Sequence, residues 1–182
     1  IFIALSLLFG WFRGNLRQQE ANMEAAIQQN SEQHNEHLSF IASQKPEDPI
    51  VNIMALTGRF HDKDVRDSAV AKVKSHPEWE AELLQLLENK HYHTEVYTFI
   101  DGNPVDHPEL FVEPLNRSIR RVAAEIKDRI TDANDLQDWH FEHFSIDRLF
   151  RAIDEQFSAP GMDFRASVKE LRAALNTPKP ER

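Results

Sequence analysis

From Pro49 to Asn176 the apolar residues of this chain return every three or four positions, and no stretch alternates convincingly with a period of two. Side chains three and four apart share one face of a helix, whereas strand residues alternate between two faces, so this spacing restricts the folded part to helices. Ile50, Ile53, Met54, Thr57 and Phe60 make one face. Val65, Ala69 and Val73 make the next, with Asp62 or Asp64 ahead of them as N-cap. Pro77 sits at a first-turn position before Trp79, Leu83, Leu84, Leu86 and Leu87. Thr94 is the expected cap of a short helix carrying Val96, Tyr97 and Ile100, which the turn Asp101-Gly102-Asn103-Pro104 ends. Pro108 opens a helix that Pro114 kinks or restarts, and Leu115, Ile119, Val122, Ile126 and Ile130 continue it. Asp132 precedes a stripe of Leu136, Trp139, His140, His143 and Phe144, and Ser145 one of Ile146, Leu149, Phe150, Ile153 and Phe157. Pro160-Gly161 breaks the chain before Phe164, Val168, Leu171 and Leu175. The expected class is all-α, built as stacked antiparallel helix pairs or as an irregular helical bundle.

The two ends differ from this middle. Ile1 to Phe12 carries no charge, and Arg13 and Arg17 come directly after it. Twelve helical residues rise only about 18 Å against a bilayer core of about 30 Å. Residues 1–14 therefore read as the C-terminal part of a transmembrane helix, with Trp11 and Phe12 where an aromatic belt would lie. A cleaved signal peptide and a buried core helix are the alternatives. Positive charge after the span favours the cytoplasm for the downstream residues. Residues 15–44 are polar and helix-prone, and Asn30 and His34 interrupt any apolar seam, so they read as a helical spacer. The run Gln44-Lys45-Pro46-Glu47-Asp48-Pro49 breaks that helix and sets the start of a folded domain over residues 45–176, with residues 177–182 a disordered tail.

The segment Asp64-Val65-Arg66-Asp67-Ser68-Ala69-Val70-Ala71-Lys72-Val73 resembles the second-helix signature of HEAT-type repeats. Asp163-Phe164-Arg165-Ala166-Ser167-Val168 looks like a degenerate copy, and Asn116-Arg117-Ser118-Ile119 keeps the Arg but lacks the leading Asp. Arg66, Arg117 and Arg165 stand 51 and 48 residues apart, just above the period of about 40–47 for this class. The resemblance implies a right-handed stack of helix pairs with a concave interaction surface. It also implies that Asp64 and Arg66 stabilise the repeat rather than carry chemistry.

Composition narrows the function classes. Thirty acids against 21 bases leave a formal charge of -9, which argues against a nucleic-acid partner, because phosphate binding needs a basic face. The absence of cysteine excludes a disulfide framework, a cysteine-ligated zinc site and a thiol nucleophile. The five glycines never cluster into a phosphate loop, and no Gly-x-Ser-x-Gly element occurs. No cofactor is expected, and no catalytic residue is assigned. Nine histidines invite a metal reading at His91, His93, His140 and His143, of which the last two, three apart, share a helix face. The opposing reading packs His140 and His143 beside a core stripe with Trp139 and Phe144. Arg117, Arg120 and Arg121 are candidates for an acidic partner or lipid headgroups. Trp79 and Phe141 are candidates for exposed aromatic anchors, with packing against the next repeat as the favoured alternative. The function expected from the sequence is a non-catalytic, membrane-tethered helical-repeat module that binds another protein. The alternatives are a metal-binding helical protein and the soluble tail of a larger transport or signalling protein.

Overall fold

The computed structural model describes residues 2–129 and 142–176, with side chains from residue 22 onward except Glu24. Every regular element among the described residues is helical. They are α1 (Phe2–Ser43), α2 (Val51–Met54) with a 3-10 turn at Ala55–Thr57, α3 (Lys63–Lys74), α4 (Trp79–Glu88), α5 (His93–Ile100), α6 (Pro108–Arg129), α7 (Ile146–Gln156) and α8 (Arg165–Leu175). The protein is all-α, and it divides into two units, Ile1–Ser43 and Gln44–Arg182.

The first unit is the single helix α1. Met23 and Ile27 are exposed on it, and Gln28 donates to Glu32 across one turn at 2.9 Å. Among the described residues no helix is long and apolar enough to cross a membrane.

In the second unit the buried positions follow the helical period. Val65, Ala69 and Val73 line the inner face of α3, and Trp79, Leu83 and Leu87 that of α4. On α6, Phe111, Leu115, Ile119, Val122 and Ile126 have no exposed surface. Each such side chain contributes about 1.5–3 kcal/mol of burial. Helix α5 departs from the one-faced pattern: His93, Val96, Tyr97, Thr98, Phe99 and Ile100 are all buried, so it is a central helix with neighbours on several sides. It packs against α4, α7, α2 and the 3-10 turn, while α6 packs along α8 and against α4.

Several polar groups inside this core are paired. The Tyr97 hydroxyl meets Ser118 Oγ at 2.7 Å. Asn116 Nδ2 donates to the carbonyls of Val112 and Asp163 at 2.9 and 3.0 Å, and Ser167 Oγ donates to Asn116 Oδ1, which pins α6 to the start of α8. A buried amide left without partners costs about 1–3 kcal/mol, so this trio fixes how the two helices register.

Three local expectations resolve differently from the spacing alone. The face of Ile50, Ile53, Met54 and Thr57 is buried, but Phe60 lies outside it, because Gly58 turns extended (φ -68°, ψ 148°) and stops the helix. Helix α5 starts at His93 with Tyr92 at its N-cap position, so Thr94 lies in the first turn. Pro114 does not restart the helix, since α6 runs through it.

Candidate functional site

Phe60 stands on the loop between the 3-10 turn and α3, 65% exposed, yet its ring is held in place. Gly58 makes room for it: a Cβ there would come within 2.5 Å of Phe60 Cε1. The His61 ring packs beside it at 4.3 Å between centroids, and His61 Nε2 lies 3.0 Å from the Ala55 carbonyl oxygen. The Arg148 guanidinium from α7 lies 5.1 Å over the ring, and its Nη1 donates to Thr98 Oγ1 at 2.6 Å. Burial pushes the nearby Glu95 carboxyl up, and the Arg148 charge opposes that rise. A cation over an aromatic face contributes about 0.5–1 kcal/mol at such exposure.

Next to the ring, Arg59 and Arg151 converge on Asp101, the residue that ends α5. Arg151 donates from Nε to Oδ1 at 3.1 Å and from Nη2 to Oδ2 at 2.8 Å. The bonded carboxylate holds the Arg151 guanidinium above its ordinary range, and Asp147 adds to this. Arg59 Nε donates to the Asp101 carbonyl at 3.1 Å, and its Nη2 pairs with Glu155. Gly102 has a left-handed backbone (φ +98°), and any Cβ there would meet Arg59 Nε at 2.5 Å, so glycine is what lets the guanidinium cross the turn.

Arg59 also lines a polar cavity of about 590 Å³, together with Arg66, Asp67, Val70, Ala71, Gly102 and Asn103. Lys63, donating to Asp67, holds that carboxyl below its ordinary value. Arg59, next to Phe60 in the chain, joins that ring, the Asp101 cluster and the cavity into one candidate site. Its chemical repertoire is contact area and charge-assisted hydrogen bonds.

The residues singled out by sequence fall elsewhere. Trp79 is 8% exposed, packs 5.8 Å from Phe99 and lies under Lys74, so it is a core side chain and not an exposed anchor. Arg117 is bonded to Glu88 at 3.0 and 2.6 Å and lies 3.5 Å from Glu113. Arg121 donates to the carbonyls of Leu87 and Glu88 and so closes the C-terminal end of α4. Arg120 is exposed on α6. His140 and Phe141 lie outside the described residues.

His91 is exposed in the turn before α5. His93 and His143 both lean on the Phe144 ring, at 6.0 and 4.8 Å between centroids. Among the described residues no three His, Asp or Glu side chains gather into a group that could hold a metal ion. Phe60 is the residue that sequence reasoning assigned to the core; the signal for its exposure was Gly58 immediately after a short helix. Comparison with protein-family models, with curated proteins and with solved structures gave no match to this chain.

Proposed function

We propose that this chain is a non-catalytic module that binds another protein through the face centred on Phe60. The observation that carries the reading is the ring itself, largely exposed but fixed by Gly58, His61 and Arg148. A flexible surface phenylalanine loses rotamer freedom when it docks, whereas a held ring does not, and anchors of this kind dominate interface energies. The apolar run from Ile1 to Phe12 supports tethering to a membrane, and Arg13 and Arg17 after it support a cytoplasmic position for the helical unit. The HEAT-like run from Asp64 to Val73 supports reading the helices as stacked antiparallel pairs, with the spacer of residues 15–44 setting the reach of the module.

A photo-reactive phenylalanine analogue at position 60 of the full chain, irradiated in its host cells, tests this. The expected result is one discrete protein adduct that is absent when the analogue replaces Leu110, an exposed residue outside this face. Once that protein is in hand, Phe60→Ala should weaken binding by at least about 30-fold, the loss of a hot-spot side chain. No adduct at position 60, or the same set of adducts from both positions, overturns the reading.

A further inference from the structure

His93 is the first residue of α5 and is 2% exposed, yet neither of its ring nitrogens has a hydrogen-bond partner. Two aromatic rings enclose it: Tyr97 lies edge-on at 5.5 Å and Phe144 stacks at 6.0 Å. From α6, Arg121 and Glu125 face it with opposite charges, and the main chain of Asn89 and Lys90 faces it from the preceding turn. Beyond Phe144 stand Arg129, 5.4 Å over that ring and paired with Glu125, and His143, edge-on to it. Burial, then the Arg121 charge, hold the imidazole below its ordinary value, so it sits in the core as the neutral ring.

Arg121 is the second strained member. Its Nε is also buried without a partner, while its other nitrogens hold the carbonyls of Leu87 and Glu88 and the hydroxyl of Ser118. Arginine keeps its proton at any physiological pH. A proton added to His93 would therefore place a second cation beside a permanent one, with only the main chain of Asn89 and Lys90 and the Glu125 charge to offset it. Two movements relieve that conflict: His93 swings out at the head of α5, or Arg121 lets go of the end of α4. Both part the α4–α5 turn from α6.

We propose that His93 is an acid-triggered release, whose protonation frees the α4–α5 turn from α6 and uncovers the apolar surface of Tyr97 and Phe144. The sign comes from the neutral core form. A histidine whose folded value lies below its unfolded one leaves stability complete above about pH 6.5. That stability is lost as pH falls from there through the folded value. A single proton bound by the open state changes the opening equilibrium by up to about tenfold per pH unit.

Amide hydrogen exchange of the full chain in detergent micelles reads this directly, with rates corrected for their chemical pH dependence. Protection across residues 89–100 and 118–126 is expected to fall about five- to tenfold between pH 6.5 and 5.5, while that of the α6–α8 contact around Asn116 holds. In His93→Phe, which keeps a ring between Tyr97 and Phe144, the fall should vanish. Should that variant not fold, His93→Asn gives the same comparison at the two pH values. Unchanged protection in the native chain, or an equal fall in the non-titrating variant, overturns the proposal.

Discussion

Asp101→Asn asks whether one buried carboxylate holds both the Phe60 loop and α7 on the end of α5. Asp101 is 3% exposed, and it takes bonds of 3.1 and 2.8 Å from Arg151 and a 3.3 Å contact from Arg59. The two guanidiniums are 45% and 43% exposed. Asparagine keeps one acceptor oxygen, removes the charge and turns an amide towards a guanidinium that can only donate. A charge-assisted bond contributes about 1.5–3 kcal/mol net, and water at the two half-exposed arginines trims the loss to about 2 kcal/mol. For a unit of this size each kcal/mol moves the melting midpoint by about 3–4 °C, so the variant should melt about 6–8 °C lower by helical circular dichroism. Arg151→Ala should then cost less in the Asp101→Asn background than alone, since both remove one shared interaction. A midpoint within about 2 °C of the native chain, or full additivity of the two changes, refutes the reasoning.

Two further outcomes are expected. Gly102→Ala places a Cβ at φ +98° and 2.5 Å from Arg59 Nε, and should destabilise the fold by about 1–2 kcal/mol or more in urea titration, whereas a native midpoint would show that Arg59 has another path. His107 Nδ1 lies 2.6 Å from Glu80 Oε2, and that bond first, then the Glu80 charge, raises the imidazole above its ordinary value. Its contribution is complete below about pH 6.5 and is lost as pH rises through the folded value. Proton NMR should place the His107 midpoint above that of a free histidine, and Glu80→Gln should bring it back.

Helices α3, α4 and α6 were legible because each buries one stripe: Val65, Ala69 and Val73, then Trp79, Leu83 and Leu87, then Leu115 to Ile126. Helix α5 was legible only as a helix. Most of its residues are buried, so there is no stripe to show that it is central, and His93 reads as a loose histidine when its neighbours are unknown. Phe60 misled because periodicity reports faces and not endings; its spacing continued the stripe of Ile53 and Thr57 past the glycine that stops the helix. The burial of Trp79 was legible from its stripe, but Phe99 and Lys74, which cover it, were not. The Asp101–Arg151 pair joins residues fifty apart, and nothing local in a single sequence announces it. Asn116 and Ser167 were passed over for the opposite reason: they are polar on buried faces, where a search for apolar periodicity looks past them.

The central position of α5 has a consequence for the chain as it is made. Its buried residues Thr98 and Asp101 wait for Arg148 and Arg151 on α7, fifty residues downstream. At a synthesis rate of about 5–20 residues per second, α5 emerges about 3–10 seconds before the helix that covers it. Through that interval the face of α5 that packs against α7 is bare. A helix buried on several sides in the finished fold is thus exposed in the nascent one, and a chain stalled before residue 146 displays that surface for as long as the stall lasts.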